Sequence, residues 1–174
     1  MRRLKKILIS ILLILLAVSL VLGMLIAYRH LLEPKVAEIM RGVVSERAGV
    51  PKETVEIRFL DELGEKSLFK WKYAVGAVAP NYSVCFVYDM WTRKMDRIVE
   101  QRFVTPDEVR MFNLVKNLKW EENFVPFDLE QDNEGRILFE AYLGWAWWWD
   151  NWYFGIAVFD PNTGEQQMVL ALAK

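Results

Sequence analysis

From Ile7 to Tyr28 the chain runs for 22 residues without a charge, ILISILLILLAVSLVLGMLIAY. As a helix at ~1.5 Å per residue this is about 33 Å, enough to cross a hydrocarbon core of about 30 Å with slight tilt. A globular helix of that length carries a polar face, and none is present. Arg2, Arg3, Lys5 and Lys6 precede the run, against Arg29 and Lys35 after it. The heavier basic cluster stays cytoplasmic, so the C-terminal region is expected outside the cytoplasm. A cleaved signal peptide has a shorter apolar region and a small-x-small ending, whereas this run closes on Leu25-Ile26-Ala27-Tyr28. A pilin-like leader also places basic residues before an apolar run, but the small residue before a cleavage point and the early Glu are missing. The reading is an uncleaved signal-anchor: residues 1–6 a cytoplasmic tail, 7–28 a transmembrane segment in contact with the lipid bilayer, 29–33 a short linker. Five residues extend less than about 20 Å at ~3.3–3.6 Å each, which keeps the folded region near the membrane.

From residue 30 onward there are 17 basic and 23 acidic residues, a net charge of −6. Nucleic-acid binding depends on neutralising phosphates, so an acidic domain is a poor candidate and no nucleic-acid partner is expected. The single cysteine, Cys85, has no partner for a disulfide within the chain, and the only histidine, His30, sits at the end of the anchor. Cys85 therefore reads as a small buried apolar residue and not as a nucleophile.

After Pro34, Val36, Ile39, Met40, Val43 and Val44 recur at helical spacing, with Pro51 beyond the end. Alternation then marks strands at Val55–Phe59, Phe69–Val75, Tyr82–Tyr88 and Met95–Val99, with turns at Asp61–Lys66, Ala79–Asn81 and Asp89–Arg93. Thr105-Pro106-Asp107-Glu108 is a capping box with proline at the first helical position, followed by an apolar stripe of Val109, Phe112, Val115 and Leu118. Strands follow at Phe124–Leu129, Ile137–Trp149, Trp152–Phe159 and Glu165–Leu172, with turns at Asp132–Gly135 and Asp160–Gly164.

The two halves, 34–103 and 104–174, repeat one order of elements. A shift of 71 residues lays Asp89 on Asp160 and Thr92 on Thr163, and brings Pro34 near Pro106. The chain here resembles PepSY-like domains, in which a helix precedes an antiparallel sheet and the last hairpin carries a D-x-x-T-G-[KE] turn. Asp160-Pro161-Asn162-Thr163-Gly164-Glu165 fits that turn fully. Asp89-Met90-Trp91-Thr92-Arg93-Lys94 departs from it at Arg93. The resemblance extends to membrane-anchored proteins with tandem PepSY-like domains. It implies an α+β fold of two cystatin-like repeats and a non-catalytic module that binds or restrains another extracytoplasmic protein, often a hydrolase.

Gly-rich phosphate loops, paired metal ligands and nucleophile elbows are all missing from the sequence, so no catalytic, cofactor or metal site is expected. Asp128, Glu130, Asp132 and Glu134 cluster around a turn, but Gly135 comes too late for a calcium loop. The unusual stretch is Trp145-Ala146-Trp147-Trp148-Trp149-Asp150-Asn151-Trp152-Tyr153-Phe154, five tryptophans around a hairpin tip. Four readings stand: core and cross-strand pairs, a protein-binding patch, contact with lipid headgroups, or stacking on a ligand. Trp147, Trp148, Trp149, Trp152 and Tyr153 are the candidate contact residues for an envelope or membrane protein partner. One alternative is an enzyme processing envelope polysaccharide or peptide, with Asp150 or Asp128 as acid and base; another is a structural subunit of a membrane complex. Asn81-Tyr82-Ser83 is a glycosylation sequon on an expected turn.

Overall fold

The computed structural model describes residues 2–67, 70–120, 123–146 and 150–171. Two compact units divide at Val36 and Ala37. The first holds helix α1 (Arg2–Leu32), which continues through residues 29–32 of the expected linker before a short 3-10 turn at Glu33–Lys35. Its apolar side chains are exposed along its length, Leu12 and Met24 each at 68 %. Among the described residues it supplies one span long and apolar enough to cross a membrane.

The second unit is α+β. Helix α2 (Val36–Ala48) leads into strands β1 (Glu56–Ser67), β2 (Lys70–Ala79), β3 (Tyr82–Asp89) and β4 (Lys94–Arg102). Helix α3 (Pro106–Val115) leads into β5 (Val125–Gln131), β6 (Ile137–Ala146), β7 (Asn151–Phe159) and β8 (Gln166–Ala171). Among the described residues these form two four-stranded antiparallel sheets, each an up-and-down meander in chain order. The expected elements thus appear in their expected order.

One turn falls elsewhere. Asp61–Lys66 has turn chemistry, yet β1 runs through it and pairs Asp61 with Ala74 and Leu63 with Lys72. Gly64, at φ +84°, sits where the register shifts, so it makes an irregularity inside the strand and not the hairpin tip. Phe69, expected to open the next strand, and Leu172, expected to close the last, lie outside the described residues.

Alternation assigns the two faces of the first sheet. Ala74, Val78, Cys85 and Val87 join one core cluster with Phe112 and Val115 of α3 and with Phe127, Phe139, Tyr142, Trp152 and Phe154 of the second sheet. The opposite face holds Trp71, Val75, Ala77, Val84 and Phe86, all fully buried. Met40 and Val44 of α2 are also fully buried. Arg47 of α2 grips Glu100 of β4 with two hydrogen bonds (2.6 and 2.9 Å), and Arg102 donates to the carbonyls of Arg47 and Ala48 at the helix end. These bonds satisfy terminal carbonyls and fasten α2 as the cover of that face. The α3 start is capped as expected: Thr105 accepts from Glu108 N–H, and Glu108 accepts from Thr105 N–H in return.

Candidate interaction surface at the β6–β7 tip

The last described pair of the β6–β7 ladder is Ala146–Asn151. Trp147, Trp148 and Trp149 lie outside the described residues. Asp150 is exposed with φ +51°, a left-handed conformation that Asp tolerates better than most residues.

Trp152 is a core residue. It is 4 % exposed, packs edge-on against Trp145 (4.9 Å, 87°) and lies near Phe59 and Tyr142. Its Nε1–H donates to the Arg97 carbonyl at 3.1 Å, which satisfies the indole's only polar atom. It therefore offers no free surface for a partner and instead holds the base of the hairpin in place. Tyr153 pairs with Gly144 and is half-buried, on the face opposite Trp152. Trp145 is also half-buried.

Two contacts from the first sheet brace the tip. Arg97, at φ +52° in a β4 bulge, sends its guanidinium to Asp150 at 3.1 Å. Asp61 of β1 accepts a hydrogen bond from Trp145 N–H, and burial pushes its carboxyl above the usual aspartate value against that bond's pull. Gly144 leaves room for Asp61: a Cβ there would stand 2.9 Å from Oδ2. A groove of about 370 Å³ opens beside this hairpin, lined by Leu63, Lys72, Asp96, Arg97, Trp145 and Asp150 among others. The sequence signals Trp145 and Asp150 here. Lys72, Asp96 and Arg97 come from strands more than 45 residues distant, and no local pattern announces them.

The remaining sequence candidates are scattered. Asp128 adopts φ +48° in a β5 irregularity, where its N–H donates to Gln101 at 2.7 Å, and it does not line the groove holding Asp150. Asp132 folds its own turn, accepting from Glu134 and Arg136 N–H, and Arg136 pairs with both Asp132 and Glu134. The Arg136 contact holds the Asp132 carboxyl below its ordinary range. Among the described residues no group of three or more His, Cys, Asp or Glu is placed to hold a metal ion. Cys85 is fully buried, and burial pushes its thiol well up. Asn81 is exposed at the β2–β3 turn, while Tyr82 and Ser83 of the sequon are buried.

The chain matches no family model, no curated protein and no solved structure.

Proposed function

We propose that this protein is a membrane-anchored, extracytoplasmic, non-catalytic interaction module of two cystatin-like, PepSY-like repeats, which engages another envelope or membrane protein through its tryptophan-rich β6–β7 tip. The observation that carries this reading is the run of five tryptophans within eight residues, of which the structure describes Trp145 and Trp152. Trp152 is consumed by the core and Trp145 packs against it, and the sequence places three more tryptophans between them. Aromatic residues concentrate binding energy at protein interfaces. The bracing by Arg97 and Asp61 favours a pre-organised tip, which lowers the ordering cost of binding.

The duplication is supported by the turn chemistry of the two halves. In one, Asp89 Oδ1 accepts from Trp91 and Thr92 N–H while its carbonyl accepts from Arg93 N–H. In the other, Asp160 Oδ1 accepts from Asn162 and Thr163 N–H while its carbonyl accepts from Gly164 N–H. Arg93 even takes the positive φ, +55°, that Gly164 takes at +77°.

The test is in-cell photocrosslinking from a probe at Asp150, comparing the native chain with Trp148→Ala. Loss of a discrete crosslinked species, with unchanged thermal stability, is the expected result; undiminished crosslinking would reject the tip as the contact. Trp152→Ala is the contrasting variant: it is expected to cost about 3–5 kcal/mol of stability, because it empties a core site.

A further inference from the structure

Among the described residues, the far end of the second sheet, away from the tip, leaves one face uncovered. Directly opposed residues in neighbouring strands share a face, so the ladder can be read in rows. One row joins Val125, Tyr142 and Phe154, all buried. The next joins Phe127, Glu140 and Ile156: Phe127 is buried, Glu140 half-buried, and Ile156 is 50 % exposed although β7 is an inner strand. The last row joins Glu130, Leu138, Val158 and Gln167, with the two apolar residues half-buried and the outer two exposed. Cover thus thins row by row toward the β5–β6 and β7–β8 turns. The first sheet shows no such opening, since β3 is buried on both faces from Tyr82 to Tyr88.

The uncovered end is also charged in one sense. A groove of about 640 Å³ runs over Leu138 and Val158, rimmed by Asp132, Glu134, Asp160 and Glu165, with Arg136 the one cation among its described lining residues. Arg136 is already shared between Asp132 and Glu134. Glu130 and Glu140 add acid on the same face. An apolar floor inside an acidic rim fits one kind of occupant, a chain that offers apolar and basic side chains together.

We propose that this open end of the second sheet is a docking surface for an extended basic segment of another protein, in which apolar residues alternate with Lys or Arg. The apolar side chains would lie on Leu138, Ile156 and Val158, and the basic ones would reach Glu134, Asp160 and Glu165. In an extended segment successive side chains turn to opposite sides, so the apolar ones face the floor while the long Lys or Arg stems bend back over the rim to its carboxylates. The surface is separate from the β6–β7 tip, at the other end of the same hairpin, and does not depend on what the tip binds.

The test uses the full chain in detergent micelles and a fluorescent octapeptide of alternating lysine and valine. Saturable binding is expected, weakened by added salt. Glu134→Lys combined with Glu165→Lys is expected to weaken it at least about tenfold, as is Ile156→Ser alone. All three substituted side chains are exposed, Ile156 at 50 %, and unchanged thermal unfolding is the check that the variants fold. Slowed amide exchange should fall on residues 137–140 and 156–167. The proposal is overturned if the variants bind the peptide unchanged, if a glutamate–valine peptide binds equally well, or if protection appears at the β6–β7 tip instead. It is also overturned if sedimentation shows a dimer that Ile156→Ser dissolves, since the face would then belong to a second copy of this chain.

Discussion

Arg93 carries local backbone tension. It occupies a left-handed conformation, φ +55°, in the turn where its counterpart is Gly164. That conformation costs a residue with a Cβ roughly 1–2 kcal/mol, while glycine adds unfolded-state entropy worth about 0.4–1 kcal/mol. The first effect is larger, so Arg93→Gly is expected to stabilise the domain by about 0.5–1 kcal/mol in denaturant unfolding. Gly164→Ala should destabilise by a similar amount. A neutral or destabilising Arg93→Gly would show that the guanidinium contributes more than the backbone costs. The turn motif is readable at this scale because its parts are adjacent: an Asp that accepts from the next residues, then a position that needs positive φ.

At the scale of elements, the α2–β4 junction is held by a network around Glu100. Arg47 donates to it twice, Tyr82 donates its hydroxyl, and Arg102 stacks 4.9 Å over the Tyr82 ring. The Arg47 bonds, then the Tyr82 bond, hold the Glu100 carboxyl below its ordinary value. A depressed carboxylate contributes stability above its unfolded pKa of about 4.3, and that contribution disappears as pH falls through the lower folded value. Tyr82 is pushed up to about 12, first by burial and then by Glu100. Stability should therefore also fall as pH rises from about 10 toward 12, where the unfolded chain gives up this proton first. Glu100→Gln is expected to flatten the acid limb of a melting-temperature profile and to cost about 1 kcal/mol near neutral pH, a modest figure because the carboxylate is partly solvated. An unchanged acid limb would mean that the network does not control acid stability. Neither Arg47–Glu100 nor Arg97–Asp150 is legible in sequence, since each joins residues 53 apart. The strands themselves are legible, because alternation and capping are local signals. The Asp61–Lys66 turn misled for the converse reason: Asp and Gly favour turns locally, whereas the length of the pairing with β2 decides where β1 ends.

For the whole molecule, the proposed extracytoplasmic role depends on which side of the membrane the domain occupies. The basic residues are distributed Arg2, Arg3, Lys5 and Lys6 before the apolar run against Arg29 and Lys35 after it, the asymmetry on which the proposed cytoplasmic N-terminus rests. Cys85 makes this directly measurable. It is the chain's only thiol, it is fully buried, and burial raises its pKa, so little reactive thiolate reaches the solvent. The native chain should stay unlabelled by a membrane-impermeant maleimide until it is denatured. Asn162 is exposed in the β7–β8 turn and contributes its backbone N–H to Asp160, a bond that a cysteine there retains. Asn162→Cys is expected to label on intact cells to the same extent as after permeabilisation. Labelling that requires permeabilisation would put the domain in the cytoplasm, reversing the orientation and removing extracytoplasmic partners from both proposed surfaces.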